Sequence, residues 1–307
     1  MSPRIIFMGT ADFAVPAFEA LHTSLGVHAV VTLPDAPRGR GQVLSPTPVG
    51  AAAANAGIDT ILKPSSLRDA DFQEQIRAMR PDIICVIAFR ILPRSVYSTA
   101  RLGAFNVHAS LLPRHRGAAP IHHAIISGDT HTGVTSFLLN DVVDTGTILL
   151  QRGIDVPDGT TTGELYAALM PLAAQCAVDT AQGLIEGTLV PQPQDDTLAT
   201  PAPKIFREQC RIDWNAPRHI VRNFIHGMSP VPCAWSVFHN DVVKVYRAAF
   251  ADAPLSVGQV EISDSQWLVG CSDGALALTE IQLPNKRAMA ISDVLRGYRG
   301  NRQGVMQ

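Results

Sequence analysis

What this chain has little of narrows the field first. Its 307 residues hold only five cysteines, Cys85, Cys176, Cys210, Cys233 and Cys271, scattered and without a C-x-x-C pair. That argues against a disulfide framework or a zinc site and fits a reducing, cytoplasmic setting. No apolar run approaches the roughly 18 residues needed to span a bilayer, so no membrane partner is expected. The opening Met1-Ser-Pro-Arg runs straight into the strand-like Ile5-Ile-Phe-Met8, which reads as structure and not as a signal peptide. After that strand, Gly9-Thr-Ala-Asp-Phe-Ala-Val lacks the G-x-G-x-x-G of a dinucleotide site, which argues against a nicotinamide enzyme. No internal repeat is visible. Net charge is only −2, yet it is divided unevenly: 13 basic against 18 acidic residues up to position 203, and 12 against 9 beyond it. A mildly basic C-terminal part permits a polyanionic partner, and an ordinary solvated surface accounts for the same charge.

What is present reads as two kinds of architecture. A buried strand over 4–9, an amphipathic helix over 15–24 and a strand over 27–32 form a βαβ opening. Residues 33–48 hold Pro34, Pro37, Gly39, Gly41, Pro46 and Pro48 and read as a long loop carrying Arg38 and Arg40. A loop of that length is uncommon unless it binds something or is disordered. Helices at 49–56 and 69–79 precede the near-continuous apolar run 82–88, the mark of a central parallel strand covered on both faces. Strands at 104–108 and 132–139, a helix at 121–127 and a returning strand at 148–151 complete the alternation. A long helix is expected over 162–185, and the proline-rich, polar stretch 190–203 suits an extended linker. Beyond it come a helix at 216–227, short β-rich runs at 234–238, 242–248, 258–262, 266–271 and 275–283, and a last helix at 291–298. Many short strands between Gly, Asp and Asn turns suggest a small β-barrel. The expected class is α/β, a doubly wound, mostly parallel, Rossmann-like sheet with a smaller C-terminal barrel. The expected boundaries are 1–189 for the catalytic domain, 190–206 for the linker and 207–307 for the C-terminal domain.

One stretch concentrates chemistry: Phe105-Asn-Val-His-Ala-Ser-Leu-Leu-Pro-Arg-His-Arg-Gly-Ala-Ala-Pro120. Asn106 and His108 lie two apart, so at a strand end both side chains leave from one face. They sit where open α/β sheets place ligands, at the carboxyl edge. A histidine at a strand end is more often a satisfied structural group. Asp144, in an Asp-Thr-Gly turn between two strands, supplies a carboxylate at the same edge. A carboxylate beside an imidazole orients it for proton transfer, and an Asn amide can stabilise an oxyanion. Asp141 in the same loop is an alternative partner, or only a turn residue. No Ser or Cys nucleophile is obviously paired with the histidine, so the set fits direct acyl transfer to an amine.

Asn106-Val-His-Ala-Ser-Leu-Leu-Pro-Arg-His-Arg-Gly-Ala-Ala-Pro-Ile121, with Gly133-Val-Thr135 and Leu139-Asn-Asp-Val-Val-Asp-Thr-Gly146, resembles the folate-dependent formyltransferases, and within them the branch that acts on methionyl-tRNA. The likeness runs nearly end to end. Pro34-Asp-Ala-Pro-Arg-Gly-Arg-Gly41 with Ser45-Pro-Thr-Pro-Val49 resembles that branch's inserted loop for the tRNA acceptor stem, and Lys204-Ile205, Arg211-Ile-Asp-Trp214 and Lys286-Arg-Ala-Met289 resemble its OB-like C-terminal domain. The resemblance implies Asn106, His108 and Asp144 as the catalytic set. It implies Ser110, Leu111, Leu112 and Pro113 as the folate wall, with Phe89, Arg90, Leu92 and Asp141 around the pterin. It implies tRNA contacts at Arg38, Arg40 and Lys204, 10-formyltetrahydrofolate as donor, initiator methionyl-tRNA as acceptor, no metal, and a monomer. The chain departs from the family pattern at Arg90, where Gly is usual, at His115, where an aromatic is usual, and at Val231. Two rivals share features: a formyltransferase acting on an amino sugar nucleotide, and a catalytically silent folate- or RNA-binding module.

Overall fold

The computed structural model describes residues 3–38 and 43–307. In chain order the first strands and helices are β1 (Ile5–Gly9), α1 (Val15–Leu25), β2 (Ala29–Val31), β3 (Ala36–Arg38), β4 (Val43–Ser45), α2 (Pro48–Asn55), β5 (Ile61–Leu62), α3 (Ala70–Met79) and β6 (Ile83–Ile87). They continue with α4 (Arg94–Tyr97), β7 (Gly103–His108), α5 (Pro120–Ile126), β8 (His131–Leu138), β9 (Ile148–Asp155) and α6 (Thr162–Glu186). The rest are α7 (Arg218–Gly227), β10 (Ala234–Phe238), β11 (Asp241–Ala251), β12 (Gln259–Ile262), β13 (Trp267–Cys271), β14 (Gly274–Gln282), β15 (Met289–Ala290), α8 (Ile291–Gly297) and β16 (Gln303–Val305).

These elements form two compact units. The first takes in residues 1–117, 132–154 and 166–201, the second residues 118–131, 155–165 and 202–307. The first is built on a seven-stranded sheet of order β5-β2-β1-β6-β7-β8-β9. Strands β5, β2, β1, β6 and β7 are parallel, and β8 turns antiparallel to β7. β1 and β6 are buried along their whole lengths, which explains why they read as unbroken apolar runs rather than as alternations. The chain leaves β1 toward β2 on one side and returns through β6 on the other. Their carboxyl ends therefore flank the reversal of strand order, where such sheets open a crevice for a ligand.

The second unit carries an antiparallel sheet of order β10-β11-β14-β13-β12-β16, with β15 also on β14. Val237 and Gln307 exchange backbone hydrogen bonds of 2.9 Å each way, so the two outer strands meet and the sheet curls into a barrel. Its interior packs around Trp267, with Val245, Val269, Leu276 and Ile281 fully buried. β11 turns the corner through register shifts between Val245 and Ala248, the irregularity that bends a strand around a small barrel.

The expected long loop at 33–48 differs from what forms. β3 and β4 pair there as an antiparallel ribbon, with Pro37 opposite Leu44 and Arg38 opposite Val43. A proline is tolerated because this two-stranded ribbon is all edge, with no inner ladder to interrupt. The short elements α4, β15 and β16 carry no sequence signal of their own, since two to four residues show no period.

Candidate active site

The site is assembled at the carboxyl end of β7. His108 is 7% exposed and sits opposite Thr135 of β8. Its Nε2 lies 2.8 Å from the His115 carbonyl. A carbonyl only accepts, so Nε2 carries the hydrogen of the neutral ring and Nδ1 is the open basic nitrogen. Nδ1 faces Asp144 Oδ2 at 3.8 Å. That is too long for a direct hydrogen bond, and it leaves the carboxylate beside the ring. Asp144 is 9% exposed, and its Oδ2 accepts from the Gly117 backbone N–H at 2.9 Å. Asn106, on the same face of β7, has no hydrogen-bond partner for its amide among the described residues and is half-buried.

Local backbone conformation aims these groups. Asp144 has φ 56° and His115 φ 57°, both left-handed. Such backbone costs free energy and clusters where geometry serves a site. Gly146 explains the Asp-Thr-Gly turn: a Cβ there would lie 1.6 Å from the Leu138 carbonyl oxygen. Asp141 is not the histidine's partner. It accepts from the Tyr97 hydroxyl at 2.6 Å and from Arg94 at 3.3 Å, which ties its loop to α4. The same carboxylate pushes the Tyr97 phenol's pKa up.

The segment 110–113 is a braced turn. Ser110 is fully buried and its hydroxyl donates to the Arg114 carbonyl at 2.7 Å, so it is already committed and does not serve as a nucleophile. Thr135 donates to the Ser110 carbonyl and accepts from the Leu112 N–H, at 2.7 and 3.0 Å. Gln151 donates to the Leu112 carbonyl at 2.8 Å. The Leu112–Pro113 bond is cis. Leu112 is buried, while Leu111 and Pro113 are half-exposed. Beyond β6, Phe89 and Arg90 are half-buried and Leu92 joins the core of the first unit. Arg90 donates to the Pro64 and Ser65 carbonyls at 2.8 and 2.9 Å. Of the residues implied for tRNA, Arg40 lies outside the described residues and Arg38 closes β3. Lys204 is exposed, with its ammonium 5.4 Å from the Phe206 ring centre.

Two side chains that sequence pattern does not single out brace these loops. Gln194 donates to the carbonyls of both Asp144 and Gly146, at 2.9 and 2.8 Å. Thr200 accepts from the His115 N–H through its hydroxyl and from the Arg116 N–H through its carbonyl, both at 2.9 Å. Both lie in the proline-rich stretch read as a linker. The Gln and Thr residues within it supply side chains able to satisfy backbone groups of another segment.

Two family models match this chain: "Formyl transferase" over residues 3–180 and "Formyl transferase, C-terminal domain" over residues 204–299. The chain belongs to the formyl transferase family. A methionyl-tRNA formyltransferase of Porphyromonas gingivalis is 43% identical over 309 residues, covering 96% of this chain and 95% of its own. One of Chlorobium phaeovibrioides is 41% identical and covers 99% and 97%. Among solved structures, a sugar 3N-formyl transferase in the presence of dTDP and 5-N-formyl-THF superposes with TM-score 0.69 at 16% identity, covering 94% of this chain and all of that one. HypX of Aquifex aeolicus in complex with tetrahydrofolic acid gives 0.63 at 17%, covering 96% and 47%. At those identities the structures speak for the formyltransferase fold alone.

Proposed function

We propose that this formyltransferase moves a formyl group from 10-formyltetrahydrofolate to the α-amine of initiator methionyl-tRNA, for the start of translation. The observation that carries the mechanism is the committed Nε2 of His108, which leaves Nδ1, facing Asp144, as the nitrogen that handles the proton. The unprotonated amine attacks the formyl carbon and forms a C–N bond. The carbonyl oxygen becomes an oxyanion held by the Asn106 amide. The amine's proton passes to His108 Nδ1, with Asp144 stabilising the imidazolium, and then to N10 of the folate as its bond to the formyl carbon breaks.

Folate lies against Ser110, Leu111, Leu112 and Pro113, with Phe89, Arg90, Leu92 and Asp141 around the pterin. Arg38, Arg40 and Lys204 meet tRNA phosphates. Residues 1–189 form the catalytic domain, 190–206 the linker and 207–307 the OB-like tRNA-binding domain. The protein works as a cytoplasmic monomer of 32.9 kDa. The high identity to methionyl-tRNA formyltransferases over nearly the whole chain supports this acceptor over an amino sugar nucleotide.

The test is formyl transfer from 10-formyltetrahydrofolate to charged initiator tRNA, with an amino sugar nucleotide as competing acceptor. Formylation of the tRNA alone is expected, and preference for the sugar would overturn the reading. His108→Ala should lower kcat by about 10²–10⁴-fold, the usual yield of a positioned acid–base group, and leave tRNA affinity near wild type.

A further inference from the structure

The catalytic histidine and its carboxylate lie 36 positions apart: His108 ends β7 with its ring against the 115–117 loop, and Asp144 lies in the loop between β8 and β9. One side chain from a third segment joins the two loops. Gln194 donates both hydrogens of its amide, to Asp144 O at 2.9 Å and Gly146 O at 2.8 Å. Its Oε1 accepts twice from Arg116, from Nε at 3.1 Å and from an Nη at 2.7 Å. Arg116 stands between the two residues that touch the catalytic pair. The His115 carbonyl takes the His108 Nε2 hydrogen, and the Gly117 N–H donates to the Asp144 carboxylate. Arg116 is itself fixed from the same third segment, by the Thr200 carbonyl at 2.9 Å and the Asp196 carboxylate at 2.7 Å.

We infer that Gln194 is a positioning residue that sets the distance between His108 and Asp144. The 144–146 turn needs such a brace because Asp144 is in the left-handed region, which a loop leaves when nothing over-determines it. Four hydrogen bonds at one half-buried amide are an unusual concentration for a segment with linker composition. Among the described residues, none of Gln194's hydrogen bonds goes to a catalytic side chain. It acts through the carbonyls on either side of Thr145 and through Arg116. The inference rests on the proposed roles of His108 and Asp144.

Gln194→Met keeps the length and volume of the side chain and removes all four hydrogen bonds. In the full-length protein it should lower kcat by about 30–100-fold, the scale on which a misplacement near 1 Å acts, while KM for folate and for methionyl-tRNA stays within about 3-fold. Gln194→Glu retains the acceptor for Arg116 but sets an anionic oxygen against two carbonyls, and should be at least as slow. In an Asp144→Ala background the Gln194→Met change should cost less than about 2-fold more, because the group it positions is gone. A single variant with near wild-type kcat, a loss carried by KM, or an equal loss in both backgrounds would overturn the inference. If turnover in the Asp144→Ala background is too slow to divide further, the split between kcat and KM in the single variant decides. If Asp144→Ala is itself fully active, the catalytic reading of Asp144 fails instead, and the two failures are distinguishable.

Discussion

Gly146→Ala probes how tightly the turn that carries Asp144 is built. The added Cβ would lie 1.6 Å from the Leu138 carbonyl oxygen and 2.9 Å from its carbon, whereas ordinary contact begins at 3.4 Å. The clash is with backbone of β8, at the point where Leu138 N–H bonds the Thr147 carbonyl at 3.0 Å. Rotating a side chain relieves nothing, and the turn has to withdraw by about 1.8 Å, the difference between 3.4 and 1.6 Å. Asp144 lies two residues away, so most of that movement reaches its carboxylate, which now stands 3.8 Å from Nδ1. A shift of this size predicts a kcat loss of about 100-fold. Overpacking of this kind also costs about 1–3 kcal/mol of stability. Steady-state kinetics with both substrates saturating, beside a thermal melt, separates the effects. A Gly146→Ala protein with kcat within about twofold of wild type would refute the argument that this turn holds the carboxylate in place.

Three further outcomes follow from the same geometry. If Arg38, Arg40 and Lys204 meet phosphates, log K for tRNA falls steeply with log salt, and replacing all three by alanine flattens the slope by about 2–3 units; an unchanged slope removes those contacts. His226 is buried in the second unit, and burial, with Arg222 and Arg247 nearby, pushes its pKa down from 6.5 to about 4. The unfolded chain then binds a proton that the folded one refuses, so this group's stability is whole above pH 6.5 and is lost as pH falls toward 4, by at most about 3 kcal/mol. His226→Gln should show a shallower loss of melting temperature over that window, and parallel curves would contradict it. All five cysteines are buried, with pKa values raised by desolvation, Cys233 to about 11 and Cys271 to about 12. A thiol reagent at pH 8 should label the native protein only as fast as it opens, and rapid stoichiometric labelling would show otherwise.

Much of this protein was legible in its residue order, because the relevant physics is local. Buried parallel strands such as β1 and β6 announce themselves as apolar runs. Alternation put Asn106 and His108 on one face, and the helices at 15–25 and 162–186 fell within a residue of their expected limits. What the sequence could not supply was the partner of each polar group. Asp141 and Asp144 look equivalent in Leu-Asn-Asp-Val-Val-Asp-Thr-Gly. Only the fold separates them, giving one to Tyr97 and Arg94 and the other to His108. The inserted stretch read as loop because proline and glycine mark breaks, while a two-stranded ribbon tolerates Pro37 at its edge. Gln194 and Thr200 were hidden for the same reason: proline-rich composition describes the chain they sit in, not the carbonyls and amides they meet. Strand and helix periods are set by the nearest few residues. Hydrogen bonds between positions 116, 144 and 194 exist only once the chain has closed on itself, and with them the loops carrying His115 and Asp144 come together.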